Sequence, residues 1–167
     1  MLDFNLSDEQ KMLVEMTRSF VEKDMMPHEE ILETKGILPS DLAVVLKKKS
    51  IELGLHACNL PEEVGGGGLD AVSVMLIEKE LGRTSLALAE CAHRPLNILS
   101  ACQGKQVTEF LEPTVRGEKR DCIAMTEPEA GSDLRGMKCK ATHDKGHWLI
   151  NGVKHFISQA SVSDYCV

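Results

Sequence analysis

The sequence has no apolar run approaching the roughly 18 residues that a membrane-crossing helix requires, which excludes a helical membrane span. It has no Cys-x-x-Cys pair, no His-Glu-x-x-His and no Cys/His cluster, so a metal site is not expected. Its cysteines stand far apart, at 58, 91, 102, 122, 139 and 166, and the chain is too large to need disulfide staples; they are read as reduced thiols of a cytosolic-type protein. The first residues, MLDFNLSDEQ, lack a basic stretch followed by an apolar one, so no signal peptide is expected. Gly-x-Gly-x-x-Gly and the Gly-Lys-Ser/Thr phosphate loop are both missing, as are internal repeats. A basic surplus is missing too. The net charge is -7, which argues against nucleic acid or an anionic membrane as a partner.

What is present suits a folded protein. The 167 residues make one domain or two small ones, and a chain of this length hides roughly 70% of its unfolded surface. With 43% hydrophobic and 27% charged residues, global disorder is excluded. Ser7 and Gln10 form a capping box ahead of a helix carrying Leu13, Met16 and Phe20 on one face, with Met12 beside them and Pro27 just past the end. Met12, Met16, Met25 and Met26 read as helix core and boundary. A second helix from Ser40-Asp41 turns Leu42, Val45 and Leu46 inward, and its Lys47, Lys48 and Lys49 read as a solvated face.

The stretch PEEVGGGG at 61–68 is expected to be a flexible connector, since each helical glycine costs about 1 kcal/mol relative to alanine. Helical patterns resume at 70–81 and 84–92, then at 96–101 and 105–111, and Pro113 and Gly117 close the helical region. Beyond residue 120 the period changes. Residues 121–125 read as a buried strand, and 148–157 as a hairpin around Asn151-Gly152. Asp144-Lys145-Gly146 is a second turn, joining 138–143 to the same strand. Residues 164–167 read as the start of another strand. The expected fold class is therefore α+β: an all-helical N-terminal bundle over 1–120, then the first three or four strands of an antiparallel β domain over 121–167, which the sequence leaves incomplete.

Between these regions lies AMTEPEAGSDLRG, at 124–136. Thr126 follows a strand. Gly131 lets the backbone approach a ligand closely, Ser132 offers a hydroxyl, and N–H groups from Ala130 to Asp133 suit an anion. Glu127 and Glu129 are awkward beside a phosphate and must point away or bond the loop itself. Asp133 can cap the turn through an Asx bond. The residues by themselves allow either a phosphate or pyrophosphate site or a well-capped surface turn.

The stretch from Ala124 to Asp133 closely resembles the flavin-loop signature of acyl-CoA dehydrogenases. FNLSDEQ, LPEEVGGGGL, ELGRTS at 80–85 and INGVKHFIS at 150–158 are also placed as in that family, so the resemblance covers essentially the whole chain. It implies a helical N-terminal domain, a middle β domain and a helical C-terminal domain, with FAD between the last two. By motif, Ile123, Ala124, Met125, Thr126, Gly131 and Ser132 line the flavin and its pyrophosphate, Thr126 bonds the ring edge, and Ser132 also faces the CoA chain of the substrate. Phe156 stands where the family has a large aromatic, commonly tryptophan, beside the ring. Ile157 follows it, and Ser158 stands where a hydroxyl bonds near the reactive ring nitrogen. Phenylalanine keeps the stacking surface and loses the indole N–H.

The resemblance further implies FAD-dependent α,β-dehydrogenation of an acyl-CoA thioester to trans-2-enoyl-CoA, with electron-transferring flavoprotein as electron acceptor and a dimeric or tetrameric parent. The expected compartment is the bacterial cytoplasm or, after processing, the mitochondrial matrix. The family's carboxylate base belongs to the C-terminal domain. No catalytic residue is expected in this chain, and the chain alone is expected to be inactive. An acyl-CoA oxidase, a nitroalkane oxidase, a non-catalytic binding module and a purely structural helical domain are the competing readings. His93-Arg94-Pro95 reads as loop structure ahead of substrate contact, His155 as a strand residue and Trp148 as a packing residue.

Overall fold

The computed structural model describes residues 5–92 and 94–167; Phe4 of the N-terminal motif and His93 lie outside the described residues. The chain divides into two compact units, Met1–Glu118 and Lys119–Val167.

The first unit is helical. Helix α1 (Asp8–Phe20) starts at the expected capping box: Gln10 N–H donates to Ser7 Oγ, and Ser7 N–H donates to Gln10 Oε1, both at 3.1 Å. Thr17 and Phe20 are buried, with Leu13 and Met16 packed beside them. Met12 is 69% exposed, contrary to its placement in the core. It lies about 100° round the helix from Leu13, off the buried stripe. Nor does the helical path end before Pro27. A π turn (Val21–Met25) and a 3₁₀ turn (Met26–His28) carry the chain into α2 (Glu29–Lys35). The second proline-bearing segment repeats the device: a π turn (Val107–Leu111) leads into α6 (Glu112–Val115), which contains Pro113. In both, the residue just before the proline donates its N–H five residues back, Met26 to Val21 and Glu112 to Val107. The widened turn makes room for a ring that would otherwise strike the carbonyl four residues earlier.

Helix α3 (Ser40–Glu52) buries Leu46 and Ser50 and packs Leu42 and Ala43 against the core. Val45 is 62% exposed, because it lies about 100° from the Leu46 face, and the inward placement from sequence fails there. Lys48 is solvated as expected, whereas Lys49 pairs with Asp24. Helix α4 (Ala71–Leu81) is capped by Asp70, which accepts the Ser73 N–H at 2.9 Å. Its Glu80 is buried and accepts Arg18 of α1 through both carboxylate oxygens, at 3.0 and 2.9 Å. Phe20, Met25, Leu46, Leu55, Ile77 and Leu88, the last from α5 (Leu86–Ala89), belong to the core of this unit. The expected helices at 84–92 and 96–101 shrink to α5 followed by a 3₁₀ turn, and to a 3₁₀ segment (Asn97–Ala101).

The glycine run is no flexible connector. Gly66, Gly67 and Gly68 N–H groups donate to Pro61, Ala57 and Leu60 carbonyls at 2.9, 3.2 and 2.8 Å. A Cβ on Gly66 would stand 2.2 Å from the Leu60 oxygen, and one on Gly67 2.9 Å from Cys58 Cα. The glycines are there because two backbone segments touch.

The second unit carries four short strands among the described residues: β1 (Asp121–Cys122), β2 (Lys140–Asp144), β3 (His147–Asn151) and β4 (Tyr165–Cys166). β1 and β4 pair parallel, Asp121 with Tyr165 and Cys122 with Cys166. β2 and β3 pair antiparallel, from Lys140 with Asn151 to Asp144 with His147. The strand expected over 121–125 therefore stops at Cys122, and Ile123 and Met125 are exposed. The hairpin turn is Lys145-Gly146, with φ of 46° and 84°, the two positive angles of a type I′ turn. Asn151-Gly152 is not a turn. Asn151 is the last paired residue of β3, and a Cβ on Gly152 would stand 2.6 Å from Cys139. That glycine serves a close approach. The residues after it, His155 included, form no strand. Trp148 is 67% exposed and meets only the His143 ring edge-on at 5.2 Å among the described aromatic contacts, so it is not a buried packing residue.

Candidate functional site

The loop that follows β1 is shaped by its own glutamate. Residues 127–130 form a tight turn with Pro128 second, in which Glu127 N–H donates to Ala130 O at 2.9 Å and Ala130 N–H returns to Glu127 O at 3.2 Å. The Glu127 carboxylate is 5% exposed. It accepts the backbone N–H groups of Lys138 at 2.6 Å and Cys139 at 3.0 Å, and the Lys154 ammonium at 2.9 Å. Those two N–H groups and Lys154 hold its carboxyl well below the usual range, at about 2. Glu129 pairs with Lys138. Both glutamates thus bond the protein around their own loop, the second of the two roles the sequence allows them. Asp133 makes the expected Asx bond, accepting Arg135 N–H at 3.1 Å, and its side chain also pairs with the Arg135 guanidinium, which holds the carboxyl below the usual range.

The residues named from sequence fall as follows. Ala124 and Thr126 are half-buried; Ile123, Met125, Gly131 and Ser132 are exposed. Thr126 O accepts His155 N–H at 3.0 Å, and Met125 O accepts Lys154 Nζ at 3.0 Å. The loop is thereby joined to the segment carrying Phe156, Ile157 and Ser158. Phe156 is 87% exposed and adopts φ of 54°, which a bulky side chain rarely takes. Ile157 is half-buried and Ser158 exposed. Gly131 and Ser132 make no described hydrogen bond to that segment. They leave backbone N–H groups without a described partner, and nothing stands within 4 Å of a Cβ built on Gly131. The His155 ring lies tilted against Phe156, centroids 4.3 Å apart, and leaves most of that ring exposed. N–H donors without a described partner, an exposed hydroxyl and a largely exposed aromatic ring suit a large phosphorylated ring compound such as FAD.

The sequence reading missed Lys154 and the buried role of Glu127. A charged residue two positions after Gly152 carries no periodic signal that it reaches back to a carboxylate in an earlier loop. Among the described residues, no group of three or more His, Cys, Asp or Glu side chains could hold a metal ion, and no helix is long and apolar enough to cross a membrane.

A helical unit followed by a small sheet, with an acidic Gly-Ser loop leaving the first strand, defines the class of fold. Residues 7–118 match the model for "Acyl-CoA dehydrogenase, N-terminal domain", and residues 122–167 the model for "Acyl-CoA dehydrogenase, middle domain". The chain belongs to the acyl-CoA dehydrogenase family. It is 34% identical to a probable acyl-CoA dehydrogenase of Bacillus subtilis (strain 168), over 98% of this chain and 28% of that protein. It is 30% identical to the caffeyl-CoA reductase-Etf complex subunit CarC of Acetobacterium woodii, over 96% of this chain and 43% of that one. Its fold superposes with a TM-score of 0.80 on the crystal structure of an acyl-CoA dehydrogenase complexed with FAD from Bacillus anthracis, at 32% identity, covering 100% of this chain and 29% of that chain. The chain therefore spans less than half the length of these relatives.

Proposed function

We propose that this chain supplies part of the flavin site of an FAD-dependent acyl-CoA dehydrogenase, whose full-length form converts an acyl-CoA thioester to trans-2-enoyl-CoA. The observation that carries the reading is the His155 N–H to Thr126 O bond at 3.0 Å, which joins the acidic Gly-Ser loop to Phe156 and Ser158. The helical part is assigned to 1–120 and the β part to 121–167. FAD, when bound, supplies the acceptor for the β hydrogen that leaves as hydride.

The chain's own residues bind and orient. The 123–126 backbone and the Thr126 hydroxyl face the ring, with Phe156, Ile157 and Ser158 against it. Gly131 and Ser132 N–H groups and the Ser132 hydroxyl hold the pyrophosphate, and Ser132 also faces the CoA chain. Neither loop glutamate is the base that removes the α proton. Glu127 is spent on three donors and ionised down to about pH 2, far too weak a base for the task, and Glu129 is paired with Lys138. The base is assigned to a region of the full-length relatives that this chain does not span, and the isolated chain is inactive. Electron-transferring flavoprotein is the proposed electron acceptor, a dimer or tetramer the proposed assembly, and bacterial cytoplasm or mitochondrial matrix the proposed location.

The test is an FAD titration of the purified chain followed by flavin fluorescence, with Thr126→Val and Ser132→Ala alongside. The expected result is saturable binding that both variants weaken. Equal binding by all three proteins, or none, overturns the assignment of these residues.

A further inference from the structure

Between residues 123 and 139 the only buried side chains are those of Glu127 and Ala130. One is charged and the other is a single methyl, so apolar burial cannot fix the course of this loop. Polar contacts remain. The Glu129–Lys138 and Asp133–Arg135 pairs are exposed to solvent, and the contacts that reach a buried carboxylate converge on one ion pair. Glu127 takes the N–H groups of Lys138 and Cys139 on one side. Lys154 approaches Glu127 at 2.9 Å, donates to the Met125 carbonyl at 3.0 Å and lies 3.6 Å from Met137 Sδ. Three separate stretches of chain, 125–127, 137–139 and 154, therefore meet at a single pair of charges. Lys154 has no donor to spare for a ligand. Its charge is compensated inside the protein, and its three contacts point at loop atoms.

We propose that Glu127 and Lys154 are the positioning residues of the loop: their ion pair fixes the path of 125–130 against 137–139 and 153–155. That the positioned loop serves FAD rests on the function proposed above; the clamp itself does not. Neither residue touches the cofactor in this account. Each acts through the backbone of the residues that do.

Amide hydrogen exchange of the 167-residue chain, without added FAD, tests this on Glu127→Gln, Lys154→Met and Lys154→Arg. The informative amides are Ala130 and His155, whose bonds to Glu127 O and Thr126 O close the loop without using either side chain. They are expected to exchange at least about tenfold faster in Glu127→Gln and Lys154→Met, with the β2–β3 ladder unchanged and Lys154→Arg retaining protection. Unchanged exchange at Ala130 and His155 in both variants, with loss confined to Lys138 and Cys139, overturns the proposal. Loss across the β2–β3 ladder as well overturns it too, since the pair would then support the whole unit. FAD titration of the same variants separates the two readings. A loosened loop with unaltered FAD affinity leaves the clamp standing and refutes the cofactor assignment.

Discussion

Gly66→Ala is a substitution whose cost can be worked out from backbone geometry. The new methyl would stand 2.2 Å from the Leu60 oxygen and 2.6 Å from its carbon, both well inside the 3.4 Å at which ordinary contact begins. The oxygen cannot retreat freely, because it accepts the Gly68 N–H at 2.8 Å. Giving up that bond costs about 1 kcal/mol, and forcing a group into packed space costs about 1–3 kcal/mol. The total is about 2–4 kcal/mol, which for a unit of this size lowers the melting temperature by roughly 8–16 °C. Gly54→Ala is the control. Nothing lies within 4 Å of its Cβ, and only its φ of 70° opposes the change, at about 1–2 kcal/mol. Thermal unfolding followed by far-ultraviolet circular dichroism compares the two. A Gly66→Ala melting point close to the parent's, or above that of Gly54→Ala, refutes the account of the glycine run as a contact between backbones.

Two further outcomes are expected. Glu127 has its carboxyl lowered from 4.5 to about 2 in the folded chain, so its contribution to stability is fully present above about pH 4.5 and is lost as pH falls through about 2; urea titrations across that window should show a decline that Glu127→Gln lacks. Ile77 is fully buried in the helical core, and Ile77→Ala should destabilise the first unit by about 2–5 kcal/mol in equilibrium denaturation, the range for deleting a buried aliphatic side chain.

The parts of the fold legible in sequence were those with local causes. The capping box at Ser7 and Gln10 needs no partner outside its own turn, and α1 begins there. The Lys145-Gly146 turn was readable from residues that accept positive φ. Asn151-Gly152 carries the same local signal with a different cause. Its glycine answers to Cys139, a long-range approach that no dipeptide preference encodes. The glycine run misled for the same reason: four glycines signal freedom locally, and contact with 57–60 removes it. Val45 and Met12 were misplaced because they flank a buried stripe whose centre is set by the packing partner.

At the candidate site, the chemistry of the loop was legible and its support was not. Charge alone indicates that Glu127 and Glu129 point away from a phosphate or bond the loop itself; the structure shows the second. Which groups they would meet depended on the chain returning at 138–139 and 154, and short irregular segments have no period to announce that return. Phe156 was marked by the family motif; its positive φ and near-complete exposure come from the structure.

Whether this chain lines the flavin is tested by a backbone amide spectrum of the isotopically labelled chain, recorded as FAD is added to millimolar concentration. Shifts are expected to concentrate at Ala124, Thr126, Gly131, Ser132 and residues 155–158, with the helical unit silent. No shifts at saturating cofactor, or shifts centred elsewhere, would contradict it.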